Sequence, residues 1–206
     1  MKIKIKIKTL IFTVFVLALT FIWAIPTATL MIAGYLDDNH SEKASLFYEK
    51  YASYPTTPNI ESKYLYANSL IGSFRKYTIF FTGWGRGENT SPEDMDKAKQ
   101  ILIDALAEMP AKNREKDYYI KCYKLLLDIA IATGNAEMLQ EWIGYGQNNT
   151  DEKLIYTADI YDGFLHHVNG ESETTKAILE KYEETELKDI IFDVLKAEVA
   201  LFEGEY

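Results

Sequence analysis

A long apolar segment without charge, close to the N-terminus, constrains this chain more than any other feature. Residues 9–33 contain no charged side chain. Four lysines precede them: Lys2, Lys4, Lys6 and Lys8. At about 1.5 Å per residue, a helix of this length exceeds the roughly 30 Å hydrocarbon core of a bilayer. The sequence therefore predicts a transmembrane helix over residues 9–33.

The lysines also predict the orientation of that helix. Basic residues beside a membrane helix tend to stay in the cytoplasm, so residues 1–8 are expected to form a cytoplasmic tail and the rest to lie outside the cytoplasm. Trp23 and Pro26 belong to the anchor; Pro26 removes one helix hydrogen bond and is expected to kink the helix, which membrane helices tolerate. The alternative is a signal peptide cleaved near Ala28, which would release a secreted protein. The apolar segment continues through residues 30–33, and this favours a single-pass membrane protein.

Charge is distributed very unevenly along the chain. Four of the 22 basic residues and none of the 31 acidic residues lie in residues 1–33, which leaves residues 34–206 with 18 basic and 31 acidic side chains and a net charge of −13. Such a body would repel nucleic-acid phosphates, so we expect no nucleic-acid partner. The only cysteine, Cys122, lies in an apolar helical pattern and is expected to be a small core residue.

The body after the apolar segment has helical periodicity throughout, and no alternating run predicts a strand. Proline and glycine signals separate the helical segments. The predicted helices are Ser41–Ser53, Asn59–Phe81, Pro92–Met109, Asn113–Thr133, Asn135–Tyr145, Asp151–Val168, Glu171–Glu183 and Glu186–Phe202. The predicted fold class is therefore all-α, with an N-terminal transmembrane helix followed by a helical body over residues 34–206.

Two independent marks in this body repeat with the same period. Gly134, Gly170 and Gly204 each follow an apolar helix, at spacings of 36 and 34 residues. The preceding helices carry apolar triples at i, i+3 and i+7 with the same two spacings. These triples are Cys122/Leu125/Ile129, Ala158/Tyr161/Leu165 and Phe192/Leu195/Val199. A helical hairpin of this period cannot bury its apolar stripe alone, so neighbouring hairpins are expected to stack.

One segment carries a more specific pattern: Ala98, Leu102, Ala105 and Pro110 fall on a helix and just after its end. Residues 41–55 look like a second helix of the same kind. In these features the chain resembles the tetratricopeptide-repeat family over roughly residues 41–206. The resemblance implies an α-solenoid of helical hairpins. Because residues 204–206 look like a turn that opens a further hairpin, we expect the chain to be a fragment of a longer protein.

The resemblance also implies where partners bind, because proteins of this family usually hold peptides in a groove lined by the first helix of each hairpin. Carrying the register over gives six candidate groove residues: Tyr123, Tyr156, Asp159, His166, His167 and Asp193. The insertion over residues 80–92 adds Trp84 and Arg86, residue types that are favoured in binding hot spots. The alternatives are an ordinary surface for the six and a loop that packs Trp84 back on the body.

Asp159, Asp162 and His166 lie at i, i+3 and i+7 and could in principle bind a divalent metal or perform acid–base chemistry. A plain polar helix face is the favoured interpretation, so no metal site, cofactor or catalytic residue is predicted. The sequence favours a membrane-anchored scaffold or adaptor that binds protein partners outside the cytoplasm, with its acidic surface suited to basic segments. The alternative is a spacer or sensor region of a larger membrane-bound enzyme whose active part lies beyond Tyr206.

Overall fold

The computed structural model describes residues 2–39, 43–71, 91–108, 110 and 113–204, and of residues 2–8 and 114 it describes only the backbone. Within these ranges all regular structure is helical, as the sequence predicts, and comprises nine helices. They are α1 (Lys2–Asp38), α2 (Ala44–Ala52), α3 (Asn59–Leu70), α4 (Pro92–Leu106), α5 (Asn113–Ala132), α6 (Ala136–Gln147), α7 (Glu152–Val168), α8 (Ser172–Tyr182) and α9 (Ile190–Glu203).

Side-chain caps fix the starts of several helices. Ser91 accepts a hydrogen bond from the Asp94 backbone at 3.0 Å, and Pro92 follows it in the first helical turn of α4. Asn135 and Asp151 cap α6 and α7 in the same way. Each cap satisfies a backbone N–H that has no partner inside the helix. The side chain of Asp189 caps α9, so this helix begins at Ile190. The apolar pattern predicts a start at Glu186, and this start is wrong by four residues.

The three repeating glycines share one backbone conformation. Gly134, Gly170 and Gly204 have φ values of 64°, 80° and 71°, in the left-handed region that favours glycine, at the ends of α5, α7 and α9. At Gly134 the following N–H of Asn135 bonds the Ala130 carbonyl at 2.9 Å, and Glu171 bonds His166 at the same distance after Gly170. The glycine N–H makes the second bond at each end, Gly134 to the Ile131 carbonyl at 2.9 Å and Gly170 to the His167 carbonyl at 3.0 Å, and the two bonds together form a Schellman helix end. The repeated sequence mark therefore corresponds to a repeated turn.

Each helix packs against the next one along the chain, from α1 to α9. A second series of contacts joins the odd-numbered helices, because α3 packs on α5, α5 on α7, and α7 on α9. The apolar triples lie in the resulting core: all of their members are buried except Leu165, which is half-buried. Cys122 is fully buried, as predicted, and burial raises the pKa of its thiol to about 12.

The N-terminal helix is longer than the predicted anchor. It is continuous from Lys2 to Asp38, through Pro26 and past the expected boundary at residue 33. Its last third contacts the body: Ala33 is fully buried in a small cluster with Ala44, Tyr48 and Tyr66. This packing explains the extension, because burial of α1 against α2 stabilises the helix beyond the end of the apolar segment.

Candidate functional site

One helix among the described residues is long and apolar enough to cross a membrane, and it spans Thr9–Asp38. Every residue from Thr9 to Ile25 is exposed, including Trp23, whereas Pro26 is buried. An all-round apolar surface of this kind is typical of a membrane span and also of a signal sequence. The side chains of Lys2, Lys4, Lys6 and Lys8 lie outside the described residues, so the orientation stays a prediction.

The six predicted groove residues do not share one environment. Tyr123 is fully buried, and its hydroxyl donates to the Trp142 carbonyl at 2.7 Å. Tyr156 is also buried, and its hydroxyl donates to the Asp189 carboxylate at 3.2 Å. Burial raises the pKa of both phenols above their usual range. Neither side chain offers a surface to a partner, so the expectation that these two tyrosines line an open groove is corrected.

Asp159 is the centre of a hydrogen-bond network inside the body. It accepts from the Tyr182 hydroxyl and the Lys181 ammonium group, each at 2.6 Å, and from the Gln147 amide at 3.1 Å. The hydrogen bond to Asp159 is the main cause that raises the pKa of Lys181. The side chain of Asp159 is only 12% exposed. Its position links α6, α7 and α8, and this makes it a packing residue and not an accessible contact.

His166, His167 and Asp193 lie nearer the surface. His166 pairs with Glu171 at 2.6 Å and approaches Asp162 at 3.6 Å. The ring of His167 lies edge-on to Phe202, with 5.6 Å between the ring centres. Asp193 is exposed on α9. Within the described ranges no group of three or more His, Cys, Asp or Glu side chains could hold a metal ion. Trp84 and Arg86 lie outside the described residues.

A cleft of about 580 Å³ opens between the starts of α5 and α7. Charges of both signs line it, with Ile120 and Leu187 as apolar residues. Lys153 and Asp117 approach each other to 3.9 Å across it. None of the predicted partner-binding residues belongs to its lining. The cleft is therefore a separate feature from the predicted groove.

An apolar stripe that the sequence analysis missed lies on the outer face of α9. Ile190 is 76% exposed and Leu201 is 45% exposed, and between them lie exposed Ala197 and half-buried Val194. The inner face of the same helix buries Phe192, Leu195 and Val199. The signal was present in the sequence: a second apolar series at spacings of four, three and four residues makes α9 apolar on two faces.

The stripe occupies positions on α9 that are equivalent to those through which α7 packs on the last hairpin, which consists of α8 and α9. Shifting by 34 residues relates Ile190 to Tyr156, Ala197 to Gly163 and Leu201 to His167. On α7 all three positions meet the last hairpin. Tyr156 bonds Asp189, and His167 contacts Phe202. A Cβ atom on Gly163 would lie 2.7 Å from the Leu195 side chain. The surface that α7 buries is thus the surface that α9 exposes.

Comparisons with known proteins give no match, since no family model, curated protein or solved structure is significantly similar to the chain. The resemblance to tetratricopeptide repeats therefore stays a prediction from the sequence.

Proposed function

We propose that this protein is a membrane-anchored helical-repeat scaffold that binds protein partners on the extracytoplasmic side. Three observations support a stack of tetratricopeptide-like hairpins. The odd-numbered helices α3 to α9 pack on one another in series. The apolar triples recur with one period, and the same left-handed glycine turn ends α5, α7 and α9. A repeat stack supports binding because each hairpin adds a further stretch of one continuous surface.

The observation that carries the proposal is the exposed stripe on the outer face of α9, defined by Ile190, Val194, Ala197 and Leu201. Exposed contiguous apolar surface on a soluble body often marks an interaction site. Its equivalent on α7 accepts α9, which presents Phe192, Leu195 and Val199 at i, i+3 and i+7. The stripe therefore suits an amphipathic helix of a partner protein with an apolar triple of the same spacing.

Three occupants compete for this stripe: a partner helix, which we propose, a hairpin that follows Tyr206 if the protein is longer, and a second copy, which the form of the packing disfavours. The outer face of α7 meets the inner face of α9, so the two faces in contact are different. The inner triples of α5, α7 and α9 already lie in the core of the chain. A second copy would have to unfold to offer one of them. The net charge of −13 on residues 34–206 adds a preference for basic residues beside the apolar triple of the partner.

A synthetic helix tests this directly. The probe is a labelled peptide with the sequence of residues 189–203 and the changes Ile190→Lys, Val194→Lys and Leu201→Lys, which remove the three larger side chains of the stripe and keep the inner triple Phe192, Leu195 and Val199. We expect saturable, salt-sensitive binding to the full chain in lipid nanodiscs. The double variant Ile190→Glu/Leu201→Glu should weaken binding at least tenfold, because it places carboxylates in the contact.

Leu46→Glu is the matched control, since Leu46 is an exposed leucine on α2, far from α9 in the chain. It should bind the peptide like the unchanged protein. Circular dichroism would confirm that all variants keep their helix content. Equal binding by the double variant, or no saturable binding at all, would overturn the proposed surface. A dimer that the double variant abolishes, without peptide binding, would replace the partner helix with a second copy.

A further inference from the structure

The helix α1 is much longer than a bilayer is thick, so only part of it can lie in lipid. Its 37 residues span about 55 Å. The exposed part, Thr9 to Ile25, has 17 residues and spans about 25 Å, less than the roughly 30 Å of a hydrocarbon core. A span that starts after Lys8 must therefore continue for about three more residues, to the level of Ala28 and Thr29. A tilt of the helix would move this level still further along the chain.

The body already touches α1 at that level. Thr29 is buried, and its hydroxyl lies 3.4 Å from the hydroxyl of Tyr54. Tyr54 belongs to the connection between α2 and α3, which covers residues 53–58. Met31, on the other side of α1, is 72% exposed, so the helix remains apolar toward its surroundings at this height. The connection and the apolar side of α1 thus lie at the same level.

The connection between α2 and α3 is uncharged, unlike most of the body. Residues 51–60 contain no charged side chain, although residues 34–206 together carry 49 charged side chains. Pro55 and Thr56 are exposed, and Tyr54 is half-buried. Tyrosine is enriched where a protein meets the interface of a membrane, because its ring is apolar and its hydroxyl is polar. An uncharged loop is also what an otherwise acidic body needs in order to approach lipid headgroups.

We propose that residues 53–58, the interfacial loop, rest in the headgroup region of the bilayer and seat the helical body directly on the membrane. Two contacts with lipid, through α1 and through this loop, would fix the tilt of the stack relative to the membrane. The outer face of α9 would then be held at a defined height for its partner. This inference rests on the membrane anchor of the proposed function.

Spin labels on single cysteines test the proposal. The only native cysteine, Cys122, is fully buried, and the change Cys122→Ala ensures that the label reacts with the introduced cysteine alone. The labels are attached at Thr56→Cys in the interfacial loop, at Thr150→Cys in the exposed turn between α6 and α7, and at Leu17→Cys in the anchor. The full chain is placed in phosphatidylcholine nanodiscs, and each label is exposed to oxygen, which enters lipid, and to a water-soluble nickel complex.

We expect the label at position 56 to give an oxygen-to-nickel accessibility ratio well above that at position 150 and below that at position 17. A ratio at position 56 equal to that at position 150, with position 17 in lipid, would overturn the interfacial loop and leave the anchor intact. A water-exposed label at position 17 would overturn both the anchor and this inference. Thr56→Cys is an exposed loop substitution and should leave the fold unchanged, which circular dichroism checks.

Discussion

The helices α7 and α9 carry the same pattern 34 residues apart, yet they present opposite surfaces. Positions Tyr156, Gly163 and His167 of α7 meet the last hairpin, whereas Ile190, Ala197 and Leu201 of α9 face outward. The same holds for acidic residues, because Asp159 is enclosed and its counterpart Asp193 is exposed. The comparison teaches that the role of a position depends on which helix packs against it, and that the sequence position alone does not decide it.

Truncating the aromatic residue at the first of these positions should give the largest difference between the two helices. We expect Tyr156→Ala to lower the free energy of unfolding by about 3–5 kcal/mol, because it leaves a cavity and removes the bonds to Asp189. Ile190→Ala should change it by less than about 0.5 kcal/mol, because Ile190 is already in solvent. Urea unfolding followed by circular dichroism measures both. Similar losses in the free energy of unfolding would show that Tyr156 and Ile190 are buried to a similar extent, which contradicts the difference between α7 and α9.

Neutralising the two equivalent carboxylates, Asp159 on α7 and Asp193 on α9, should produce the next largest difference in the free energy of unfolding. Asp159→Asn is expected to cost about 1.5–3 kcal/mol, because the enclosed Asp159 carboxylate accepts bonds from the buried Tyr182 hydroxyl and from Lys181 at the surface. Asp193→Asn should cost less than about 1 kcal/mol, since an exposed carboxylate in the first turn of α9 gains mainly from the helix dipole. Thermal unfolding of both variants checks this. If Asp193→Asn proves the more damaging, α9 is covered in solution.

Much of the fold could be predicted because the signals that start and end its helices are local in the sequence. Glycines in left-handed turns and caps such as Asn135 and Asp151 mark the ends of helices in the sequence itself. The predicted helices therefore agree with the observed ones within a few residues over most of the described body. Two exceptions depend on contacts: α1 extends to Asp38 because Ala33 packs on the body, and α9 begins late because Asp189 caps it. A third is α3, which ends at Leu70, whereas the prediction continues to Phe81; residues 72–81 lie outside the described residues.

The candidate site was harder to predict, because exposure depends on neighbours in space. The repeat register gave Tyr123 and Tyr156 the same weight as Asp193, although the first two are buried and the third is exposed. Periodicity alone cannot say which face of a helix another helix covers. The stripe on α9 could have been found, because Ile190 and Leu201 belong to a second apolar series that one buried face does not require.

Alkaline pH should reduce the stability of the protein through Tyr156 on α7. The equivalent residue on α9, Ile190, does not titrate. Burial raises the pKa of Tyr156 in the folded protein, so folding favours its neutral form. This stabilisation is complete below the unfolded pKa of about 10 and is lost as pH rises through the folded pKa, at up to about 1.4 kcal/mol per pH unit. Tyr156→Phe should therefore reduce the loss of stability between pH 9 and pH 11, measured by urea unfolding. An unchanged slope would mean that the phenol is accessible to solvent.

The glycines that end the two helices should give the smallest contrast. Gly170→Ala is expected to cost about 1 kcal/mol, because an alanine at a φ of 80° meets its own carbonyl and the helix end is held between α7 and α8. Gly204→Ala imposes the same backbone conformation, but the last turn of α9 makes only peripheral contacts, His167 with Phe202 and Lys176 with Glu203, so it can unwind at a lower cost. Its cost should be less than half as large. Thermal unfolding of the two single variants, with Gly144→Ala in the middle of α6 as a control that should stabilise slightly, measures the difference. Equal costs at both ends would indicate that the end of α9 is held as firmly as that of α7, and this would favour a bound neighbour on its outer face.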